Sequence, residues 1–276
     1  LFFTEMWERM SYYGMRGILV LFMTASIRDG GLDFNNASAS AIYGIYAALV
    51  YLATLPGGWI GDNILGQKKT ILYGGIIIMM GHLSLAIPNI NSFYIGLVLV
   101  VLGTGLLKPN ISALVGNLYE HNPALRQSGF TIFYMAINLG SVLGFFICGY
   151  LGENIGWHYG FGAAGIGMAF GLMQYIYNIK LLEKYGDKPF NKINIKTKNK
   201  YIKTIYSILI IIFLITISGL FGIWRINPIP LASVLTVIIT AISLFYFFYI
   251  FTFGRLNKNE KKRITMIFVL FIGAAL

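Results

Sequence analysis

The chain has 276 residues, of which 57% are hydrophobic and 11% charged, with a formal net charge of +11. A water-soluble domain carries about 25% charged residues, so this composition excludes a soluble globular fold and indicates a polytopic membrane protein. The single Cys148 lies in an apolar run, which excludes a disulfide framework and a cysteine-based metal site.

Backbone groups left unpaired in lipid are costly, so apolar runs of about 20 residues are read as helices and not as strands. Hydropathy predicts spans near 1–26, 38–60, 70–88, 92–117, 127–151, 158–180, 203–224 and 229–253, with a ninth beginning near 264. No soluble domain fits between them. The first span is too charged for a cleavable signal peptide and lacks a small-residue cleavage site. The chain starts without Met and stops inside "ITMIFVLFIGAAL", which predicts a fragment clipped at both ends.

Charge in the connectors sets the orientation. With a cytoplasmic N-terminus, the outer connectors hold only Arg28 and Arg225, whereas the inner ones hold sixteen Lys and Arg. This is the positive-inside pattern, and it accounts for the net charge without nucleic acid. The basic stretch 180–203 is read as a plain topology signal, with a site for anionic lipid head groups as the runner-up. A further echo links "GWIGD" (58–62) to "GYLGE" (149–153), one closing on the inner side and the other on the outer, as inverted three-helix repeats require.

The first span, "LFFTEMWERMSYYGMRGILVLFMTA", carries Glu5, Glu8, Arg9 and Arg16. At about 100° per residue, Glu5, Arg9, Tyr12 and Arg16 share an arc of roughly 60°, flanked by Glu8 on one side and Tyr13 on the other. Glu5 to Arg9 has the acid-first i,i+4 order that favours pairing. A charge at a helix centre costs about 2.5–3.5 kcal/mol on the insertion scale, so this face points to a bundle interior or a wet cavity. A carboxylate beside a fixed arginine is either paired and ionised or protonated and released, and such a switch can couple proton occupancy to helix position. Lys108 repeats the logic in "VLVVLGTGLLKPNISALVG". Pro109 removes a backbone hydrogen bond after Gly103 and Gly105, and a mid-span cation there can hold an anionic substrate group.

"EMWERMSYYG" resembles the signature E-x-x-E-R-[FM]-x-Y-Y-G of the proton-dependent oligopeptide transporters, within the major facilitator superfamily. "GTGLLKPNISALVGNLY" resembles that family's fourth-helix motif and "FTIFYMAINLGS" its fifth. "GGWIGDNILGQKK" is similar to the superfamily's loop between helices two and three. The resemblance implies an all-α polytopic fold. It assigns residues 1–180 to the N-terminal six-helix bundle, 181–202 to a basic cytoplasmic linker and 203–253 to the two additional helices of prokaryotic members. Residues 254–276 then form a loop and the start of helix seven. The C-terminal six-helix half is expected but absent from this chain.

The resemblance also implies roles. Glu5, Glu8, Arg9 and Lys108 would couple protons, with Glu8 the carrier. Tyr12, Tyr13, Arg16, Tyr51, Lys108, Asn110, Tyr134 and Asn138 would line the peptide site, and Asp62, Lys68 and Lys69 would act in the conformational loop. Arginine and lysine suit a dipeptide's carboxylate, and tyrosine and asparagine suit its backbone. Animal members carry a histidine on helix two where this chain has Gly44, so coupling rests on carboxylates. His82 is expected to make a structural hydrogen bond, and His121 and His158 sit in connectors. The acids of helices seven and ten that receive the substrate amine fall beyond this chain.

The expected function is a proton-coupled symporter of di- and tripeptides in the inner membrane, using no cofactor and no metal, with the proton as coupling ion. The alternatives are a same-fold carrier of another anion or peptide-like metabolite, or a non-transporting membrane peptide receptor. An intramembrane enzyme would need a nucleophile with its base or a clustered metal set, and the dispersed histidines and lone Cys148 supply neither.

Overall fold

A computed structural model describes residues 1–183, 185–191, 193–223, 227–254 and 256–275. Lys184, Lys192, Arg225 and Arg255, counted among the connector charges, lie outside the described residues. Among the described residues the chain is helical, without strands. The helices are α1 (Phe2–Thr24), α2 (Asn36–Ile60), α3 (Gln67–Leu85), α4 (Ile90–Leu118), α5 (Pro123–Asn154), α6 (Trp157–Asn178), α7 (Ile195–Leu220), α8 (Pro228–Phe253) and α9 (Lys258–Ala275). Five stretches are long and apolar enough to cross a membrane: Asn36–Leu65, Ile90–Leu118, Pro123–Asn154, Ile195–Gly219 and Pro228–Phe253.

Asparagine starts many of these helices. The side chains of Asn35, Asn89, Asn122, Asn194 and Asn227 each accept a backbone N–H of the turn that follows, satisfying a donor that the helix itself leaves free. Proline follows two of these caps, as Pro123 and Pro228, where its missing N–H costs nothing. The cap at Asn194 explains why α7 begins eight residues before its apolar run: "IKTKNKYI" contains no breaker, so the helix extends down into the basic stretch.

The chain forms two compact units, Leu1–Ile226 and Asn227–Leu276. In the second unit, Phe247 of α8 meets Phe268 and Phe271 of α9 with ring centroids 4.8 and 5.5 Å apart. In the first, α1 packs against α5 and α6, while α4 packs against α2 and α3, and α3 touches α6. Exchanging α1 with α4, α2 with α5 and α3 with α6 maps these contacts onto one another, in keeping with two three-helix repeats. One buried cluster gathers Met15, Leu19 and Phe22 of α1 with Val100 of α4 and Phe161 of α6. A second joins Ile71 and Ile78 of α3 to Leu107 and Ile111 of α4 and Met168 of α6.

The α1–α5 seam depends on glycine. A Cβ on Gly140 would lie 2.9 Å from Cβ of Arg9, and one on Gly144 would lie 2.7 Å from the backbone nitrogen of Gly14. Lipid tails are as apolar as the helices, so close backbone approach at small residues drives association here. That approach draws the charged face of α1 out of lipid and into the bundle. Gly140→Leu is therefore expected to lower stability by about 1–3 kcal/mol, read as a fall in the melting temperature of the purified protein. Gly149→Leu, whose Cβ would have nothing within 4 Å, is expected to stay near the native value in the same assay.

Candidate functional site

Glu5, Glu8 and Arg9 are all buried, at 3%, 0% and 3% exposure. The Arg9 guanidinium serves both carboxylates through one nitrogen. Nε lies 3.0 Å from Glu5 Oε1 and makes a closer ion pair with Glu8 Oε2. The second oxygen of each carboxylate, Glu5 Oε2 and Glu8 Oε1, and Nη2 of Arg9 are buried without a hydrogen-bond partner among the described residues. One cation thus faces two acids in a buried site with spare hydrogen-bonding capacity.

The remaining cations complete the cluster. Lys108 lies within electrostatic reach of Arg9, Glu8, Glu5 and Arg16. Its ammonium sits 4.5 Å from the ring centre of Tyr51, a cation–π contact across α4 and α2. Arg16 donates from Nε to the Tyr43 hydroxyl, and its guanidinium lies 5.2 Å from that ring's centre. Arg9 stands 5.2 Å from the centre of the Tyr12 ring. Tyr12 is buried and in electrostatic reach of Arg16, Tyr51, Arg9 and Glu8. Tyr13 packs on Tyr12 at 5.3 Å and on Phe145 of α5 at 6.2 Å. Counted as ionised, Glu5 and Glu8 oppose Arg9, Arg16 and Lys108, which leaves one positive charge to meet an anionic group.

Other expected site residues occupy different settings. Asn110 is 2% exposed, and its amide donates to the carbonyls of Leu106 (2.7 Å) and Gly57 (3.0 Å), tying α4 to α2. Tyr51 and Tyr134 are 57% and 65% exposed on the first unit's surface. Asn138, also exposed, donates to the Tyr134 carbonyl at 3.0 Å. Tyr43 and Tyr46 of α2 were not anticipated. Tyr43 holds Arg16, and Tyr46 is buried within electrostatic reach of Tyr12, Glu8, Arg16 and Arg9. Their signal was present as a tyrosine stripe: Tyr43 and Tyr51 are eight residues apart on one face of α2, with Tyr46 beside them. The hydrogen bond expected of His82 is not formed among the described residues: the ring is buried with no partner for either nitrogen, and Gly165 of α6, packed beside the His82 Cβ, brings no polar side chain.

At the α2–α3 junction, Lys68 lies in the first turn of α3 and is buried. Its ammonium pairs with Asp187 at 2.9 Å and donates to the Glu183 carbonyl. The Lys68 amide donates to the Gly186 carbonyl, and the Tyr175 hydroxyl donates to the Lys68 carbonyl. The Asn191 amide donates to the Asp62 carbonyl at 3.0 Å, while Lys69 is exposed. The segment that follows α6 is thereby stitched along the α2–α3 loop. Gly66, at φ +81°, leaves room for this, since a Cβ there would lie 2.7 Å from the Asp187 carbonyl oxygen.

Comparison with known proteins adds a separate line of information. The model of the POT family matches residues 68–276. The di-/tripeptide transporter of Lactococcus lactis subsp. cremoris is 45% identical over 215 residues, covering 76% of this chain and 43% of that protein. The chain therefore spans less than half the length of this curated relative. A crystal structure of a peptide transporter POT in complex with sulfate superposes with a TM-score of 0.87 at 36% identity, over 99% of this chain and 56% of that one. A POT family transporter in complex with 5-aminolevulinic acid gives 0.85 at 33% identity, over 98% and 56%. The all-α fold expected of the N-terminal part of a major facilitator is the one observed.

Two outcomes follow. Arg9→Met leaves two buried carboxylates without a cation and is expected to lower stability by about 3–5 kcal/mol, whereas adding Glu5→Gln and Glu8→Gln recovers most of it, measured by thermal melting. Lys68→Met is expected to speed amide hydrogen exchange in residues 185–191 by roughly tenfold or more, with the α1–α5 seam unchanged.

Proposed function

The chain belongs to the POT family, and we propose that the complete polypeptide is a proton-coupled symporter of di- and tripeptides that works by alternating access. The observation that carries this reading is the sharing of buried Arg9 between Glu5 and Glu8, beside the cations Arg16 and Lys108. With Glu8 ionised, Arg9 is held between two acids. With Glu8 protonated, Arg9 turns wholly to Glu5 and one positive charge is released toward Lys108 and Arg16. A peptide carboxylate entering beside those cations neutralises that charge, so proton and peptide each favour the arrival of the other.

Arg16 and Lys108 take the substrate carboxylate in this reading, and Tyr12, Tyr13, Tyr43 and Tyr51 line the space around it. Tyr134 and Asn138 of α5 face the peptide from a surface that the C-terminal half covers, and the amine is received by that half. The loop residues Asp62, Lys68 and Lys69 act in the conformational change through the segment after α6. No cofactor is called for, since the coupling ion is the proton. The excess of Lys and Arg on one set of connectors supports a cytoplasmic N-terminus, and we read the protein as one of the inner membrane.

A second reading, a carrier of another small anion or peptide-like metabolite, is supported by the similarity to the POT family transporter in complex with 5-aminolevulinic acid. Uptake by proteoliposomes holding the complete polypeptide separates the two. Labelled dialanine is expected to accumulate under an inward proton gradient, and Glu8→Gln is expected to abolish that accumulation while keeping gradient-free exchange. Failure to move dialanine under any gradient, with 5-aminolevulinic acid transported, would select the second reading.

A further inference from the structure

The peptide site leaves the lower part of α7 unexplained. Lys196, Lys200, Lys203 and Ser207 recur at helical spacing within an arc of about 60°. With Asn199 and Thr204 they line a groove of about 480 Å³. All six are exposed, and α7 contains no acidic residue to neutralise the lysines. The opposite side of the helix is turned to its own unit. Ile202, Ile205 and Ile212 are half-buried there, and Tyr201 meets Trp59 of α2 edge-on at 4.9 Å. The basic face therefore points away from the bundle, just where the apolar run of α7 begins.

Further along the same face the chemistry changes. Ile210, Ile211 and Leu214 are 57%, 54% and 57% exposed. Ammonium, amide and hydroxyl donors over the first three turns and branched aliphatic side chains above them follow the outline of a phospholipid, phosphate below and acyl chain above. We propose that this face of α7 binds an anionic phospholipid, its phosphate head group held by Lys196, Lys200 and Lys203 and its chain lying along Ile211 and Leu214. A topology signal needs only the number of cations near the span, and Lys198 on the other face counts toward it equally. A lipid site needs them on one outward face with further donors beside them, which is the arrangement observed: Asn199 lies among the lysines, and Thr204 and Ser207 follow them. The proposal rests on the membrane orientation given above and is independent of which solute is carried.

The test uses the complete polypeptide, purified and exchanged into mixed phosphatidylglycerol and phosphatidylcholine, with retained lipid counted by native mass spectrometry. The native protein is expected to retain phosphatidylglycerol over phosphatidylcholine by about tenfold or more. Lys196→Gln/Lys200→Gln/Lys203→Gln is expected to lose that preference, and Lys258→Gln/Lys261→Gln/Lys262→Gln, which removes as many charges from α9, is expected to keep it. If the α7 triple variant does not fold, Lys200→Gln alone is expected to reduce the preference roughly fivefold. Equal retention of the two lipids, equal loss in both triple variants, or displacement of the lipid by millimolar inorganic phosphate would overturn the proposal. Dialanine uptake measured in the same preparation reports on the peptide reading separately.

Discussion

A single guanidinium, that of Arg9, holds two carboxylates inside a membrane-embedded bundle, and much of the first unit is arranged around that constraint. Removing charge from water is costly unless the geometry of pairing is good and further polar groups lie close by. Here the pairing comes from adjacent turns of α1, while burial comes from α5 and α6 packing on either side of it. The packing in turn needs Gly140 and Gly144, because α1 and α5 could not approach so closely across larger side chains. Lys108, brought in on α4, supplies a third positive charge that Arg9 alone cannot. The charged face of α1 is thus tolerable because helices distant in sequence complete it.

The same constraint gives the site its chemistry. A fully satisfied buried network would be rigid and closed to ligands. This one keeps Glu5 Oε2, Glu8 Oε1 and a guanidinium nitrogen unpaired, next to a hydroxyl of Tyr12 that also has no partner among the described residues. In the proposed function, groups in that condition respond to a proton or an anion with a change of pairing. Tyr43 holds Arg16 through its hydroxyl and ring, and Tyr51 holds Lys108 through its aromatic face; these contacts orient the cations without neutralising them. Cations held in this way remain able to meet a carboxylate.

Much of this was legible before the fold was known. The apolar runs gave the helices, and the acid-first spacing of Glu5 and Arg9 gave one ion pair outright. Glu8 was placed at the edge of the charged arc, yet it is the closer partner of Arg9, because long side chains on neighbouring positions can bend together over one turn. The role of Asn110 was less visible. Its amide is committed to the carbonyls of Leu106 and Gly57, a tertiary contact that depends on where α2 lies. Docking of residues 183–191 on the α2–α3 loop had no periodic signal, since it is made by backbone groups and one ion pair between polar segments far apart in sequence. The early start of α7 was likewise hidden from hydropathy, which registers apolar content and not an asparagine cap.

In the proposed function, proton and peptide meet in one cluster of two acids and three cations. The most direct measurement is the change in proton binding when dialanine is added to the complete purified polypeptide in weakly buffered solution, followed with a pH-sensitive dye. The account predicts net proton uptake on peptide binding in the native protein and none in Glu8→Gln. Peptide binding with no proton uptake in the native protein, or with the same uptake in Glu8→Gln, would contradict it.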